Sequence, residues 1–367
     1  LISNTTGSLN TAVGRSALQA NTTGAENTAT GYNSQLATTT GNYNTSNGSG
    51  SLAVNTTGTS NVAMGLNALV ANTTASNNTA VGTFALTANT TGHSNVAMGL
   101  NALNDNTTAS YNTSVGTYSM DKTTTGSNNT AVGYQALEQN TTAYQNTAVG
   151  VTSLKSTTTG ADNTGVGFSA LFANTTGYNN TAVGKSSLST NTTGAQNTAV
   201  GMQSLLSNTT GYNNSAVSTY ALKANTTGHS NTAVGLSSLQ VNITGNGNSS
   251  VGNNAGDSIT TGENNAFLGL RAGHTFTTGS NNVCVGYEAG GSSTTDNNQL
   301  WIARSSGAVN SAGVWVYGDA SGRCYQGNNS SSWSTTSDER IKKDIVDSPN
   351  GLAKIDAMQV RNFNYKT

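Results

Sequence analysis

The residues of this chain that could carry out chemistry are few and far apart. Of its three histidines, His93 and His229 take the same place in a repeated unit but stand eight units apart, and His274 is alone. The first two cannot share a metal ion, because metal ligands must converge on one point. No paired carboxylates stand out, and the glycine-rich segments lack the lysine of a phosphate-binding loop. We therefore expect no metal, no cofactor and no glycan-cleaving site in the repeats.

The rest of the composition limits the partners of the chain. Charged residues are 8% of the 367 residues and the formal net charge is -1, so nucleic acid and anionic membrane surfaces are poor partners. No apolar run reaches the length of about 18 residues that a membrane span needs. Two cysteines, Cys284 and Cys324, make no disulfide framework. We expect two buried free thiols, with one disulfide in an oxidising compartment as the alternative.

A repeat dominates the sequence and must position every one of these residues. A unit that begins Asn-Thr-Ala-Val-Gly recurs every seventeen residues without insertion. Its leading asparagines are Asn10, Asn27, Asn44, Asn61, Asn78, Asn95, Asn112, Asn129, Asn146, Asn163, Asn180, Asn197, Asn214, Asn231, Asn248, Asn265 and Asn282. A strict period is typical of a stacked solenoid. Apolar residues are only 34% of the chain, but the net charge is too small for disorder, so order by stacking is favoured.

Apolar residues keep two places within the unit, counted from the leading asparagine as position 0. Position 3 is mostly Val or Met, as at Val13 and Met64, and position 8 is mostly Leu, as at Leu18 and Leu69. Glycine at position 4 and Thr-Thr at positions 12 and 13 disfavour helix and favour short strands joined by turns. We therefore predict an all-β fold, a parallel β-solenoid or β-roll with one coil per unit and about 4.8 Å between coils.

Ladders of identical residues follow from this stacking. We expect positions 3 and 8 to form the dry interior, the asparagines to satisfy one another through stacked amides, and the threonines to form a hydroxyl ladder. Position 4 should take a positive φ, so Ser218, which replaces its glycine once, predicts a distorted coil. One Val, one Leu and two Ala per unit make a thin core. A thin core favours association of several chains, with a homotrimer as the expected solution.

The array over 1–298 changes character near its end. Position 8 becomes glycine at Gly256, Gly273 and Gly290, which predicts a narrower interior or a different turn. At the other end, Leu1 already falls on position 8, so we expect the sequence to be a piece of a longer array.

Two further segments follow the array. We interpret 299–336 as a β cap or neck with a strand at Val314–Tyr317, because the open end of a solenoid needs cover. Residues 337–367 hold 11 of the 29 charged residues and begin with the signals of a helix start. The chain finishes with a predicted strand at 362–366.

Side chains vary at the outward turns. Tyr144, Tyr178 and Tyr212 share position 15 and could stack on sugars, or they are exposed turn aromatics without a function. The Asn-Thr-Thr triplets, as at Asn21 and Asn89, match the glycosylation sequon, but in so regular a repeat we interpret them as turn geometry.

The charged segment carries one motif. It reads Ser-Asp-x-Arg-x-Lys at 337–342, with Asp344-Ile345 after it and Phe363-Asn364-Tyr365 near the end. The motif resembles the start of the intramolecular chaperone domain at the C-terminus of endosialidase-type phage tail spikes and fibres, of which the remainder is absent here. The repeats resemble the arrays that precede this domain in predicted tail fibres. More loosely, they resemble the trimeric β-roll head repeats of trimeric autotransporter adhesins.

This resemblance implies roles for two residues. In that family the domain assembles the trimer and then cuts the chain before the serine. Carried over, Ser337 is the nucleophile, Lys342 is its base, and the bond between Thr336 and Ser337 is cut. A lysine of lowered pKa can accept the proton of a serine hydroxyl. The alternative is that Ser337 is a helix N-cap and Lys342 a solvated helix residue.

Three functions fit these features. The one we favour is a homotrimeric phage tail fibre, an extracellular virion appendage that attaches to a host-surface glycan or protein. The second is a bacterial surface adhesin or extracellular matrix filament built from the same repeats. The third is an ice-binding solenoid, which fits less well because one threonine of each adjacent pair should point inward. In every case the expected partner is the chain itself, and no enzyme is expected beyond a single self-cleavage.

Overall fold

The computed structural model is an all-β solenoid that describes residues 1–291, 294–305 and 313–326. Within these ranges there is no helix, and twenty strands succeed one another along the chain. The first seventeen are each three residues long and recur every seventeen residues, so each repeat unit makes one coil. The predicted parallel β-solenoid is therefore confirmed.

The first seventeen strands fill positions 1 to 3 of successive units. They are β1 Thr11–Val13, β2 Thr28–Thr30, β3 Thr45–Asn47, β4 Val62–Met64, β5 Thr79–Val81, β6 Val96–Met98, β7 Thr113–Val115, β8 Thr130–Val132, β9 Thr147–Val149, β10 Thr164–Val166, β11 Thr181–Val183, β12 Thr198–Val200, β13 Ser215–Val217, β14 Thr232–Val234, β15 Ser249–Val251, β16 Ala266–Leu268 and β17 Val283–Val285. Three more strands follow: β18 Leu300–Ala303, β19 Val314–Gly318 and β20 Cys324–Gln326.

Strands β1 to β18 pair in parallel, each with the strand of the next coil, and equivalent residues face each other. Thr147 pairs with Thr164, and Val149 pairs with Val166. At a strand spacing of about 4.8 Å, the seventeen coils make a rod roughly 80 Å long. The ladder ends in an antiparallel turn, because β18 pairs with β19 and β19 with β20 in the antiparallel sense. The strand predicted near Val314 is β19.

The coil interior differs from the prediction at position 3. The position 8 leucines and the position 2 alanines are buried, whereas position 3 side chains such as Val132 and Val200 are each 37% exposed. Successive side chains of a strand point to opposite faces, so only the middle residue of a three-residue strand faces inward. That residue is at position 2. The expected interior valine ladder is therefore wrong, and these side chains lie outside the coil.

The position 0 asparagines form the predicted amide ladder inside the rod. The Oδ1 of Asn248 accepts hydrogen bonds from the backbone N–H and the Nδ2 of Asn265, both at 3.0 Å. The Nδ2 of Asn248 donates to the carbonyl of Gly262 at 2.8 Å. The buried amide is thus satisfied by its own coil and the following one, which is what a buried polar group requires.

A second asparagine ladder at position 11 was not predicted. The Nδ2 of Asn191 donates to the Oδ1 of Asn174 at 2.9 Å and to the carbonyl of Gly194 at 2.9 Å. Asn21 and Asn89, which begin sequon-like triplets, belong to this ladder and are fully buried. These triplets therefore encode an inward amide as well as a turn.

The position 11 ladder leaves unsatisfied atoms where it is interrupted. The buried Oδ1 atoms of Asn106 and Asn242 have no hydrogen-bond partner. In the coil after each of them, position 11 is Thr123 or Ile259 instead of asparagine. Both orphan acceptors are thus explained by a missing donor in the next coil.

The corners of the coil use left-handed backbone. Position 4 has the predicted positive φ, as at Gly150 (φ 131), where a Cβ would lie 2.5 Å from the Gly167 carbonyl oxygen. Positions 6, 8 and 16 are left-handed as well, including Leu137 at φ 53, and this was not predicted. Leucine in this region costs roughly 1–2 kcal/mol, so stacking must offset strain in every coil.

Ser218 occupies the glycine place of position 4 without distorting its coil. Its φ is 115, yet β13 pairs in register with both neighbouring strands. The backbone N–H of Ser218 still donates to the carbonyl of Val200 at 2.7 Å. The expected distortion is therefore wrong, and the strain is confined to the serine backbone.

In the coils with glycine at position 8, aromatic side chains from the opposite side of the coil occupy the interior. Phe267 replaces alanine at position 2, and a Cβ on Gly256 would lie 2.6 Å from its Cδ2 atom. A Cβ on Gly273 would collide with the same ring. Phe276 stacks on Phe267 with 6.1 Å between ring centroids. The narrower interior expected here is wrong, because the rings occupy the space that leucine fills elsewhere.

Candidate interaction surfaces

The residues predicted to cleave the chain, Ser337 and Lys342, lie outside the described residues. So do the predicted helix start at 337 and the final strand at 362–366. The proposed cut between Thr336 and Ser337 therefore remains a prediction from the motif.

The three histidines lie apart from one another, and two of them contact a tyrosine ring. His93 packs edge-on against Tyr111 at 4.9 Å between ring centroids, and His229 stacks on Tyr212 at 4.6 Å. His274 places its Nδ1 atom 2.9 Å from the carbonyl of Arg271. Across residues 1–291, 294–305 and 313–326, no group of three or more His, Cys, Asp or Glu side chains could hold a metal ion.

The two cysteines are free but unlike each other. Cys284 is buried at position 2 of its coil, and burial raises the pKa of its thiol to about 12. Cys324 is exposed on β20, so the expectation of two buried thiols is right only for Cys284. Since the thiolate is the reactive form, Cys284 is an inert core residue at neutral pH.

Acidic and basic side chains meet in a row at positions 9 and 10, and a further pair, Arg271 with Glu288 at 3.3 Å, lies at position 6. Lys122 lies 3.2 Å from Asp105 and 3.1 Å from Asp121, and Lys155 lies 3.3 Å from Glu138. Burial raises the pKa of Asp121, although Lys122 acts against this shift. Charges of both signs alternate in the row, so it creates no field of one sign that would attract a charged partner.

An apolar stripe runs along the strand side of the rod, formed by positions 3 and 5 on either side of the position 4 glycine. Its exposed position 3 members are Val13, Met64, Met98, Val132, Val149, Val183, Val200, Val217, Val234, Val251 and Leu268. Its exposed position 5 members are Tyr32, Leu66, Leu100, Tyr134, Val151, Phe168, Met202, Leu236, Leu270 and Tyr287. We call this surface the outer apolar stripe. At about 80 by 10 Å it covers on the order of 800 Å², more than most monomeric proteins expose in one patch.

The paired threonines form a different surface. Position 12 is half-buried, and its hydroxyl donates to the position 12 carbonyl of the next coil, as from Thr175 to Thr192 at 3.0 Å. Position 13 is exposed in each of sixteen successive coils, from Thr23 to Thr278. Neither threonine points inward, so that expectation is wrong. The hydroxyl ladder runs from side chain to backbone rather than between side chains.

An open cavity lies at the end of the rod, between the last coils and the β19–β20 hairpin. Its volume is about 410 Å³, and its lining includes Val283, Leu300, Asp319 and Arg323. The Oδ1 of Asp319 accepts from the backbone N–H groups of Ser321 and Arg323, so this carboxylate holds the hairpin turn. The free thiol of Cys324 also lines the cavity, but no histidine or lysine stands among the lining residues to accept its proton.

No protein-family model, characterised protein or solved structure matches this chain at a significant level. In the part of the chain that the structure describes, no helix is long and apolar enough to cross a membrane. The function is therefore inferred from the surfaces of the rod.

Proposed function

We propose that this chain forms the shaft of a homotrimeric extracellular fibre, a phage tail fibre that attaches to a host surface. The outer apolar stripe is the observation that supports the homotrimeric shaft. It follows the rod axis through nearly every coil, whereas the other outward positions are mostly polar. A surface of this length needs a partner that is equally long and equally periodic.

A second and a third copy of the chain meet that requirement best. They share the coil repeat of about 4.8 Å, so side chains in the stripes of two copies can keep one register along the whole rod. A stripe on the order of 800 Å² per chain also matches the area that each partner buries in a stable interface. Charged residues are rare in the stripe, as expected for the core of an interface.

The motif at 337–342 extends this proposal. A trimer of long rods needs a device that sets the three chains in register, and the segment that resembles an intramolecular chaperone would supply it. We propose that the Ser337 hydroxyl then attacks the Thr336 carbonyl carbon while Lys342 accepts its proton, and that this proton passes to the Ser337 nitrogen as the amide bond breaks. Water then hydrolyses the resulting ester and separates the two parts of the chain. In a longer chain that carries the whole C-terminal domain, Ser337→Ala and Lys342→Ala should abolish cleavage. Normal processing of either variant would remove the self-cleavage proposal and leave the shaft proposal intact.

Charged substitutions in the outer apolar stripe test whether this surface is the interface between copies of the chain. Met98→Glu combined with Leu100→Glu would bury two carboxylates in the proposed interface, which is strongly unfavourable. We expect the pair to lower the native mass or to raise the concentration needed for assembly. Thr108→Glu adds a charge to the exposed threonine row and serves as the control. Equal native masses for both variants and the parent protein would contradict an interface at the stripe.

A cellular adhesin or matrix filament would use the same rod, and the tail-fibre assignment rests on the motif resemblance alone. The complete reading frame decides between them. A membrane anchor or secretion signal would favour the adhesin, whereas neighbouring capsid or tail genes would favour the virion.

The uninterrupted row of exposed threonines supports one second candidate, binding to ice. Sixteen hydroxyl-bearing side chains at a repeat of about 4.8 Å form a regular row. Each coil offers only one fully exposed threonine, so the surface is narrow. Thermal hysteresis by the purified protein, lost in Thr176→Lys, would support this function, and its absence would remove it.

A further inference from the structure

The outer apolar stripe alternates along the rod with a period of two coils, a rise of about 9.6 Å. Every second coil, from the second to the sixteenth, carries a large, exposed apolar residue at position 5. These residues are Tyr32, Leu66, Leu100, Tyr134, Phe168, Met202, Leu236 and Leu270. Apart from Val151 and Tyr287, the coils that follow them carry a polar residue there, namely Ser49, Thr83, Thr117, Lys185, Thr219 and Asn253.

This alternation gives the stripe a relief. Met98 and Leu100 of one coil are 43% and 40% exposed, whereas Val115 and Thr117 of the next coil are half-buried. The larger pair therefore stands out as a ridge across the stripe, and the smaller pair lies in a groove. We call the eight coils with a large apolar residue at position 5, from Tyr32 to Leu270, the ridge coils, and the coils between them the groove coils.

We propose that the ridge coils fix the axial register of neighbouring copies, so that each ridge coil lies level with the same ridge coil of the other two copies. This inference rests on the proposed homotrimer, in which closed symmetry places equivalent residues at one level. Packing of ridge into groove cannot hold for all three contacts. If the second copy is shifted by one coil from the first, and the third by one coil from the second, the first and third are in phase again.

The two-coil period also gives three large side chains room to meet at one level. Carbon atoms in contact are about 3.5–4.0 Å apart, so a branched side chain such as Leu100 needs more height than one coil rise of about 4.8 Å. The smaller residues of the groove coils leave this height free. A slip by one coil would set every large side chain of one copy level with groove coils of the others and reduce their mutual apolar contact.

Lys185 favours the same register. Between Tyr32 and Tyr287 it is the only charged residue at positions 3 and 5. In the aligned register the three lysines share one level, and their long side chains can extend the ammonium groups outward to water. A slip by one coil would set Lys185 level with Phe168 or Met202 of another copy, where burial of the charge is unfavourable. A single lysine in an apolar seam specifies register in coiled coils by the same means, at a cost in stability.

Removal of whole coils tests the register. Deletion of 112–128 removes one coil and deletion of 112–145 removes two, and each leaves an unbroken seventeen-residue repeat. In a mixed assembly with the full-length chain, the one-coil deletion puts the ridges of one half out of phase, whereas the two-coil deletion keeps ridges level with ridges. Capture through a tag on the co-expressed full-length chain should recover the one-coil deletion about tenfold less, which corresponds to about 1.4 kcal/mol. Equal capture would overturn the proposal.

Each deleted chain on its own is the control for folding and assembly. All of its copies change alike, so both deletions should form species of three chain masses. A deleted chain that assembles alone but not with the full-length chain therefore shows a mismatch of register rather than a loss of fold.

Disulfide formation distinguishes the aligned register from a stagger of one coil. A disulfide requires Cβ atoms about 3.5–4.5 Å apart. In a Cys324→Ser background, Leu100→Cys copies should link to one another. Links between Leu100→Cys and Thr117→Cys copies in an equal mixture should be at most about a tenth as frequent. No excess of links between Leu100→Cys copies would overturn the aligned register.

The native mass of the same samples separates this proposal from the shaft itself. Three chain masses with equal capture of both deletions, or with mostly mixed links, would remove the register proposal and keep the shaft. One chain mass for the full-length protein would remove the shaft.

Discussion

The coils over 52–251 and those over 256–301 build the same rod around different interiors. In the first region, leucine at position 8 faces alanine or serine at position 2, with two exceptions. In the second, Gly256 and Gly273 stand at position 8 and Phe267 crosses the interior from position 2. The strands pair in register throughout both regions. The large side chain of the core can therefore come from position 2 instead of position 8 without changing the path of the backbone.

What the two regions share indicates what the rod requires. The position 0 asparagine ladder continues through Asn265 and Asn282. The outer apolar stripe continues too, through Leu268, Leu270 and Tyr287. Glycine at position 8 also removes the strain that a left-handed leucine carries elsewhere. Register and stripe are kept in both regions, whereas the core residues vary.

The largest expected effect comes from removing the phenylalanine ring from the core of the coils over 256–301. Phe267→Ala should destabilise the protein by about 3–5 kcal/mol, because the ring leaves a cavity beside two glycines. Gly256→Leu alone should cost about 1–3 kcal/mol, since its side chain collides with that ring. The double variant should be more stable than Phe267→Ala alone, because leucine refills the space. Denaturant unfolding of the three variants measures these free energies. Strictly additive losses would contradict the view that leucine at position 8 and phenylalanine at position 2 fill the same space.

Removing an asparagine of the position 0 ladder should lower the free energy of unfolding almost as much. Asn248→Ala removes the acceptor of two hydrogen bonds from Asn265 and leaves the Gly262 carbonyl without its donor. We expect a loss of about 3 kcal/mol from these buried groups. Thr261→Ala, on the exposed threonine row of the same coil, should change stability by less than about 0.5 kcal/mol. Similar melting curves for the two variants would show that the ladder does not hold the register.

A smaller, opposite effect is expected where the position 11 ladder is interrupted. Thr123→Asn should supply the missing donor to the Oδ1 of Asn106 and accept from Asn140, which now donates to the threonine hydroxyl at 3.2 Å. The gain should be about 1 kcal/mol. Thr125→Asn, on the exposed threonine row, is the matched control. A destabilised Thr123→Asn variant would mean that the buried amide does not fit there.

The period alone was sufficient to predict the coil, the parallel stacking and the position 0 ladder, because a strict repeat places equal residues above one another. It could not show which residues face inward. Val132 and Leu137 are equally apolar, but only the backbone of the three-residue strand and the left-handed turn places one outside and the other inside. Asn174 is polar and in a sequon, so its burial depends on a partner amide that only stacking provides.

The candidate surfaces were less predictable for the same reason. The sequence predicts a buried position 3, one half of the outer apolar stripe, since apolar side chains are more often buried than exposed. Tyr144, Tyr178 and Tyr212 were predicted at outward turns, and each of them is exposed. Ser337 and Lys342 were predicted by motif alone and lie outside the described residues.

The native mass of the unmodified protein tests the central claim most directly, namely that copies of this chain cover the outer apolar stripe of one another. Sedimentation equilibrium at several concentrations measures it without reference to shape. The account predicts a single species of three times the chain mass of 37.1 kDa. A species of one chain mass that persists at the highest concentration would contradict it.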